Sequence, residues 1–150
     1  MEKEIISKYR SDVIEKSINI EFIINMIISQ HYFKKVVNNF IFELLYDVCC
    51  NYRLKRNVLK KIIPEIDKTK LNDMDRLNSI RNYFAHCNQE YFKQTEKPTP
   101  NSVGVILNPH NLEKYIDFQL LYEEFINKEK DVVQYLLEIL KNKGGEFEKL

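Results

Sequence analysis

Three side chains in one short run have the chemistry that RNA cleavage requires. The run is Arg81-Asn82-Tyr83-Phe84-Ala85-His86. An imidazole changes its charge close to neutral pH, so His86 can take a proton from a 2′-hydroxyl group or return one to the leaving oxygen. A guanidinium stays charged and can hold two phosphate oxygens, so Arg81 can stabilise charge on the phosphate. Asn82 can orient the imidazole or hydrogen-bond the phosphate.

Cleavage of this type leaves a 2′,3′-cyclic phosphate and uses no metal ion. The run also has no cluster of acidic residues beside it of the kind that holds two metal ions in other nucleases. The sequence therefore predicts a site without a metal and without a cofactor.

The run is predicted to lie on a helix over residues 72–88, with Asn72 as its N-cap. Asn82 and His86 are four residues apart and share a face of that helix. Arg81 precedes His86 by five residues, which places it about 140° around the helix and about 7.5 Å along it. A helix packed against its own copy across a two-fold axis would bring each histidine to the arginine of the partner. This geometry favours a homodimer with a composite site.

The run Ile80-Arg81-Asn82-Tyr83-Phe84-Ala85-His86 resembles the R-x4-6-H motif of HEPN domains, here with R-x4-H spacing. In that family a polar residue after the arginine, often asparagine, is typical of active members, and Asn82 fits. The resemblance implies a helical bundle, a homodimer with both motifs in one cleft, and endoribonuclease activity without metal. It also implies a toxin or antiviral-defence effector, often beside an antitoxin or a nucleotidyltransferase-like partner.

Two other interpretations remain open. In the first, Arg81 and His86 are surface or interface residues with no reaction. In the second, the chain is a non-catalytic regulatory protein, because Ile-Arg-Asn-x-Phe-Ala-His is similar to a run in the mannitol-operon repressor family, another all-helical group.

A local basic patch offers a surface for RNA, although the net charge of +1 gives no global basic field. Cationic residues without an acidic neighbour are dense over residues 53–61. The predicted RNA-contacting residues are Lys34, Lys35, Arg53, Lys55 and Arg56. The alternative is an ordinary solvated helix face.

The composition predicts one all-α domain over residues 1–150, with a frayed tail at about 143–150. The chain has 150 residues, of which 44% are hydrophobic, and only 3 Gly and 4 Pro. This length suits a single core, and the scarcity of Gly and Pro favours helices. The predicted architecture is a bundle of four or five helices.

The chain is expected to act in the cytoplasm, away from membranes. Its 3 cysteines are an odd number without metal-ligand spacing, which fits reduced thiols. The most apolar segment, residues 18–29, is shorter than the roughly 20 residues that a membrane span needs. It is interrupted by Glu21, which needs a partner if it is buried. Arg81 or a lysine could provide that partner.

Hydrophobic periodicity predicts the remaining elements. Residues 3–30 form either one long helix or two, with Ser17 as the most plausible break. Further helices are predicted over residues 33–50, 53–63 and 117–141. Residues 89–113 form a long non-helical stretch, in which residues 102–107 are extended and form a short ribbon. The motif helix has two possible apolar stripes: Met74, Leu77, Ile80 and Phe84, or a shifted one that includes Arg81.

Overall fold

Four α-helices carry most of the described chain. The computed structural model describes residues 2–86, 105–108 and 111–143. The helices are α1 (Glu2–Phe33), α2 (Tyr52–Ile62), α3 (Lys68–His86) and α4 (Phe118–Asn142), with a short π-helix (Phe40–Leu45) between α1 and α2. Strands β1 (Val105–Asn108) and β2 (Asn111–Asp117) pair antiparallel just before α4. The predicted all-α class is confirmed, and residues 105–107 of the predicted ribbon lie in β1. The rest of that ribbon, residues 87–104 and the predicted frayed tail after 143 lie outside the described residues.

Side-chain caps define where α2, α3 and α4 begin. The Asn51 Oδ1 accepts a hydrogen bond from the Leu54 N–H (3.1 Å), and the Asp117 Oδ1 accepts one from the Gln119 N–H (2.7 Å). At α3 the Asp67 Oδ1 accepts from the Thr69 N–H (2.7 Å), so the helix starts at Lys68. The prediction of an N-cap at Asn72 was therefore wrong, because Asp67 caps one free N–H of the first turn five residues earlier.

The first helix is continuous. Ser17 lies inside α1, where its hydroxyl donates to the Val13 carbonyl (2.7 Å) one turn earlier. The hydroxyl thus bonds within the helix instead of interrupting it.

The helix predicted over residues 33–50 was too long, since only residues 38–45 of that range are helical beyond the end of α1. α1 ends at Phe33, and Lys34 has φ 63°, a left-handed conformation that stops a helix. The Ser29 hydroxyl donates to the Lys35 carbonyl (3.2 Å) and accepts from the Val37 N–H (2.8 Å), which holds the chain reversal. After the reversal the chain is helical again only over residues 38–45 of this range, in which Phe40–Leu45 form a π-helix.

The chain divides into two compact units. The first contains Met1–Ser17 and Arg76–Glu129, and the second contains Ile18–Asp75 and Lys130–Leu150. The single domain predicted from chain length stays a prediction. None of the described helices combines the length and apolarity that crossing a bilayer requires.

Each unit has its own buried apolar side chains. In the first unit they are Ile6, Val13, Leu77, Ile80, Phe84, Phe118, Leu121 and Phe125. In the second unit they are Ile20, Ile23, Ile24, Ile27, Ile28, Ile41, Leu45, Leu59, Ile62, Ile66, Leu71, Met74, Val132, Leu136 and Leu140. Within the first unit, the Tyr9 and Tyr122 rings stack at 4.0 Å and connect α1 to α4.

Candidate functional site

The second half of α3 has a buried face and an exposed face. Leu77, Ile80 and Phe84 follow a three-and-four spacing and are 3%, 0% and 0% exposed. The Phe84 ring lies 5.2 Å from the Phe118 ring, centroid to centroid, at the start of α4. Of the two possible apolar stripes, the structure has the one that excludes Arg81. This packing fixes the rotation of the helix about its axis.

The three predicted catalytic residues lie on the exposed side of that helix. Arg81, Asn82 and His86 are all exposed, and His86 is the last described residue of α3. Burial of Ile80 and Phe84 forces this outcome, because residues between the positions of a buried stripe point to solvent.

Arg81 and Asn82 are joined directly. The Arg81 Nη1 donates a hydrogen bond to the Asn82 Oδ1 at 3.0 Å. Among the described residues no hydrogen bond joins Asn82 to His86, so the amide positions the guanidinium rather than the imidazole. The bond uses one of the five N–H groups of the arginine. The other N–H groups are enough for a bidentate contact with a phosphate.

Arg76, five residues earlier on the same helix, is in the opposite situation. Its Nε and Nη2 donate to the two carboxylate oxygens of Glu124, each at 2.7 Å. The hydrogen bond to Glu124 raises the pKa of Arg76. Within the described part of the chain, Arg81 has no such carboxylate partner. One arginine of α3 thus forms an ion pair within the fold, and the other presents an exposed guanidinium with no carboxylate partner among the described residues.

The predicted RNA-contacting residues divide into two groups. Lys34, Lys35 and Arg53 are exposed. Lys55 is only 2% exposed and its ammonium bonds the Glu21 carboxylate, so placing it on an RNA surface was wrong. Arg56 is occupied as well, since its Nε donates to both oxygens of Asp75, at 2.7 and 2.9 Å.

The signal that Lys55 is buried was present in the sequence. Lys55, Leu59 and Ile62 follow an i, i+4, i+7 spacing and form the buried stripe of α2. Glu21 itself is 36% exposed, and it pairs with this lysine rather than with Arg81.

The cysteines add no second site within the described residues. Cys49 is exposed and Cys50 is half-buried, and both are free thiols. A hydrogen bond to Asp47 raises the pKa of Cys49, which disfavours the reactive thiolate. Among the described side chains no three histidine, cysteine or acidic residues group as a metal site would require. The third cysteine, Cys87, lies outside the described residues.

No model of a known protein family, no curated protein and no solved structure matches this chain. The case for a function therefore depends on the side chains themselves.

Proposed function

We propose that the protein is a homodimeric endoribonuclease of the HEPN type that cleaves RNA without a metal ion. The observation that carries the proposal is the exposure of Arg81, Asn82 and His86 together on α3, while the opposite face of the helix is anchored by buried apolar residues. The Arg81 guanidinium is oriented by Asn82 and keeps its charge free for a phosphate. A site for phosphoryl transfer needs this combination of a fixed cation and a proton-transfer group.

In the proposed reaction the substrate supplies its own nucleophile. The neutral imidazole of His86 removes the proton of a 2′-hydroxyl group, and the 2′-oxygen attacks the adjacent phosphorus. The bond from phosphorus to the 5′-oxygen breaks, and the same imidazole, now protonated, returns the proton to that oxygen. Arg81 stabilises the negative charge on the non-bridging oxygens throughout. The products are a 2′,3′-cyclic phosphate and a 5′-hydroxyl group.

The dimer is part of the proposal because of helix geometry. On one helix Arg81 and His86 are separated by about 140° of rotation and about 7.5 Å of rise. Two copies of α3 related by a two-fold axis place the histidine of one protomer beside the arginine of the other. We propose that such an enzyme acts in the cytoplasm as a toxin or antiviral effector, held in check by an antitoxin or a nucleotidyltransferase-like partner.

The first test is substitution of the proton-transfer group. His86→Ala should lower RNA cleavage by about 100- to 10,000-fold, the contribution typical of general acid–base catalysis. Because His86 is exposed, the circular dichroism spectrum and thermal midpoint of the His86→Ala protein should match those of the parent. Lys68→Ala, at an exposed position at the other end of α3, is the matched control and should cleave normally. Parent activity should persist in EDTA.

A mixing experiment tests the composite site. Arg81→Ala and His86→Ala homodimers should each be inactive, but a mixture that exchanges subunits forms heterodimers with one intact site. Random pairing should then restore about a quarter of parent activity. An inactive mixture would show that both groups act from one chain. Undiminished cleavage by His86→Ala would overturn the assignment of His86, whereas a parent protein that cleaves no RNA would favour a non-catalytic regulatory protein.

A further inference from the structure

Three helix ends in the second unit bring lysines together. Residues 31–35 at the end of α1, 60–63 at the end of α2 and 139–143 at the end of α4 each carry two lysines and no acidic residue. The lysines are Lys34, Lys35, Lys60, Lys61, Lys141 and Lys143, and all are exposed. The whole chain has a net charge of only +1, so this concentration of positive charge is local.

Direct contacts show that these helix ends meet. The Lys143 Nζ donates to the Ile62 carbonyl at 3.1 Å and lies 3.5 Å from the His31 Nδ1. The Lys34 Nζ donates to the His31 carbonyl at 3.4 Å. α1, α2 and α4 therefore end beside one another, and His31 lies between two ammonium groups.

The positive charges in this cluster repel each other. Burial, and then the neighbouring Lys34, lower the pKa of Lys143. Burial, and then Lys143 and Lys34, lower the pKa of His31. Within the described residues, none of the six lysines pairs with a carboxylate.

Helix C-termini explain only part of this cluster. Each carries a partial negative charge equivalent to about half a proton charge, and it attracts cations within the last turn. The contacts of Lys34 and Lys143 with carbonyl oxygens fit that role. Lys60 and Lys61 also lie in the last turn of α2, but about half a negative charge at each of three helix ends is less than the charge of six lysines. The remainder is a positive surface suited to a polyanion.

Exposed aromatic rings lie next to these lysines. Tyr32 is 59% exposed and Phe33 is 47% exposed. Each ring is held edge-to-face by a neighbour, Tyr32 by His31 at 5.0 Å and Phe33 by Phe40 at 4.8 Å. Fixed rings bordered by cations are how proteins bind single-stranded nucleic acid, with bases stacked on the rings and phosphates on the cations.

We infer that this lysine–aromatic end binds single-stranded RNA, through Tyr32, Phe33, Lys34, Lys35 and Lys143. The choice of RNA over other polyanions rests on the proposed nuclease function. The surface replaces the predicted one that included Lys55 and Arg56, which the fold uses in ion pairs.

Binding can be measured separately from cleavage. The background is full-length His86→Ala protein, so that RNA survives, and the probe is a fluorescein-labelled single-stranded RNA of about 20 nucleotides followed by anisotropy. Lys34→Ala/Lys143→Ala should weaken binding about tenfold or more at low salt. It should also reduce the slope of log K against log salt by about 1.4, the value for two phosphate contacts on a single strand.

The control variant changes charge by the same amount elsewhere. Lys8→Ala/Lys68→Ala removes two exposed lysines outside the cluster and should change affinity by less than about twofold. Equal losses in both double variants would show that only net charge matters and would overturn the inference.

The role of the two aromatic rings is tested by comparing the affinity for single-stranded RNA with the affinity for duplex RNA. Tyr32→Leu/Phe33→Leu keeps apolar volume but removes the stacking surface, so affinity for single-stranded RNA should fall about tenfold or more while affinity for a duplex is unchanged. An unchanged preference for single strands would contradict the role of the rings. Thermal melts establish that every variant is folded.

The outcomes distinguish this inference from the proposed function. If the parent cleaves RNA but Lys34→Ala/Lys143→Ala shows no specific loss of RNA binding, the proposed binding surface is wrong and the proposed nuclease function stands. If RNA binding depends on the cluster but the parent cleaves no RNA, the proposed binding surface stands and the proposed nuclease function is wrong. Sedimentation with phosphatidylserine vesicles, without RNA binding, would show that the cluster binds membranes and would overturn the inference.

Discussion

Helices α2 and α3 each carry a cation in a predicted functional patch, and the fold treats the two in opposite ways. Lys55 on α2 is 2% exposed and bonds Glu21 in the second unit. Arg81 on α3 is exposed and bonds only the amide of its neighbour Asn82 within the described residues. The difference follows from the apolar stripe of each helix. Lys55 lies on the stripe that includes Leu59, whereas Arg81 lies beside its stripe.

The comparison teaches that the type of a charged residue says less than its angular position on a helix. A cation on the buried stripe must find a carboxylate, because an unpaired buried charge is costly. A cation beside the stripe needs no partner in order for the chain to fold. A cation of the second kind that stays unpaired and is held in place by a neighbour is a stronger candidate for ligand binding.

The largest expected effect comes from removing the unpaired cation. Arg81→Ala should lower RNA cleavage by about 100- to 1,000-fold, the cost of losing one group that stabilises transition-state charge. Its free energy of unfolding should stay within about 0.5 kcal/mol of the parent, since Arg81 is exposed. Single-turnover cleavage rates and urea unfolding measure the two quantities.

Arg76→Ala is the matched control on the same helix. It breaks the ion pair with Glu124, in which the side chains are 40% and 32% exposed, and should cost about 1 kcal/mol of stability or less. Its cleavage rate should match the parent. If Arg76→Ala lowers cleavage as much as Arg81→Ala does, the distinction between the two arginines is wrong.

The all-α class and the long helices followed from periodicity. The buried residues Leu121, Phe125, Val132, Leu136 and Leu140 of α4 are four or seven positions apart, a helical spacing. The predicted helix over residues 117–141 agrees with the structure within one residue at each end. The end of α2 before Pro64 could also be predicted from the sequence, because proline disfavours the helical conformation at the residue before it.

The chain reversal after α1 was not predictable in the same way. Residues 33–50 have helical periodicity, yet Lys34 takes a left-handed conformation and Ser29 bonds both the Lys35 carbonyl and the Val37 N–H. These contacts depend on which serine becomes buried, which is a tertiary property. The exposure of the candidate site could not be predicted from the sequence either, because it too depends on tertiary packing. The stripe on α3 allowed Arg81 to be either inside or outside, and only packing of Phe84 on Phe118 decides between the two.

Breaking the ion pair between Glu21 and Lys55 should lower the free energy of unfolding by an intermediate amount. The loss should depend on which of the two residues is replaced. Glu21 is 36% exposed, whereas Lys55 is 2% exposed. Glu21→Ala leaves a buried ammonium without a carboxylate and should cost about 3 kcal/mol. Lys55→Met removes the buried charge, keeps the chain volume and leaves Glu21 in contact with water, so it should cost about 1 kcal/mol. Urea unfolding at neutral pH measures both.

The double variant Glu21→Ala/Lys55→Met completes that test. It removes both charges, so it should be more stable than Glu21→Ala alone, and the difference gives the coupling between the two residues. Equal costs for the two single variants would mean that the carboxylate is as shielded as the ammonium. None of the three changes should alter cleavage by the folded protein.

The smallest expected effect is a change of stability with pH that is caused by His31. Burial, then Lys143 and Lys34, lower the pKa of His31 from its ordinary value of 6.5. The folded state therefore binds this proton less readily than the unfolded state does, so stability from the neutral imidazole is present above pH 6.5 and is lost as the pH falls through the folded pKa. His31→Gln does not titrate, and the difference in unfolding free energy between parent and His31→Gln should shift against the parent from pH 7 to pH 5. Lys143→Met removes one source of repulsion and should make that shift smaller. A parent that gains stability relative to His31→Gln in acid would show that His31 pairs with an anion, and that the cluster at the three helix ends is already neutralised within the fold.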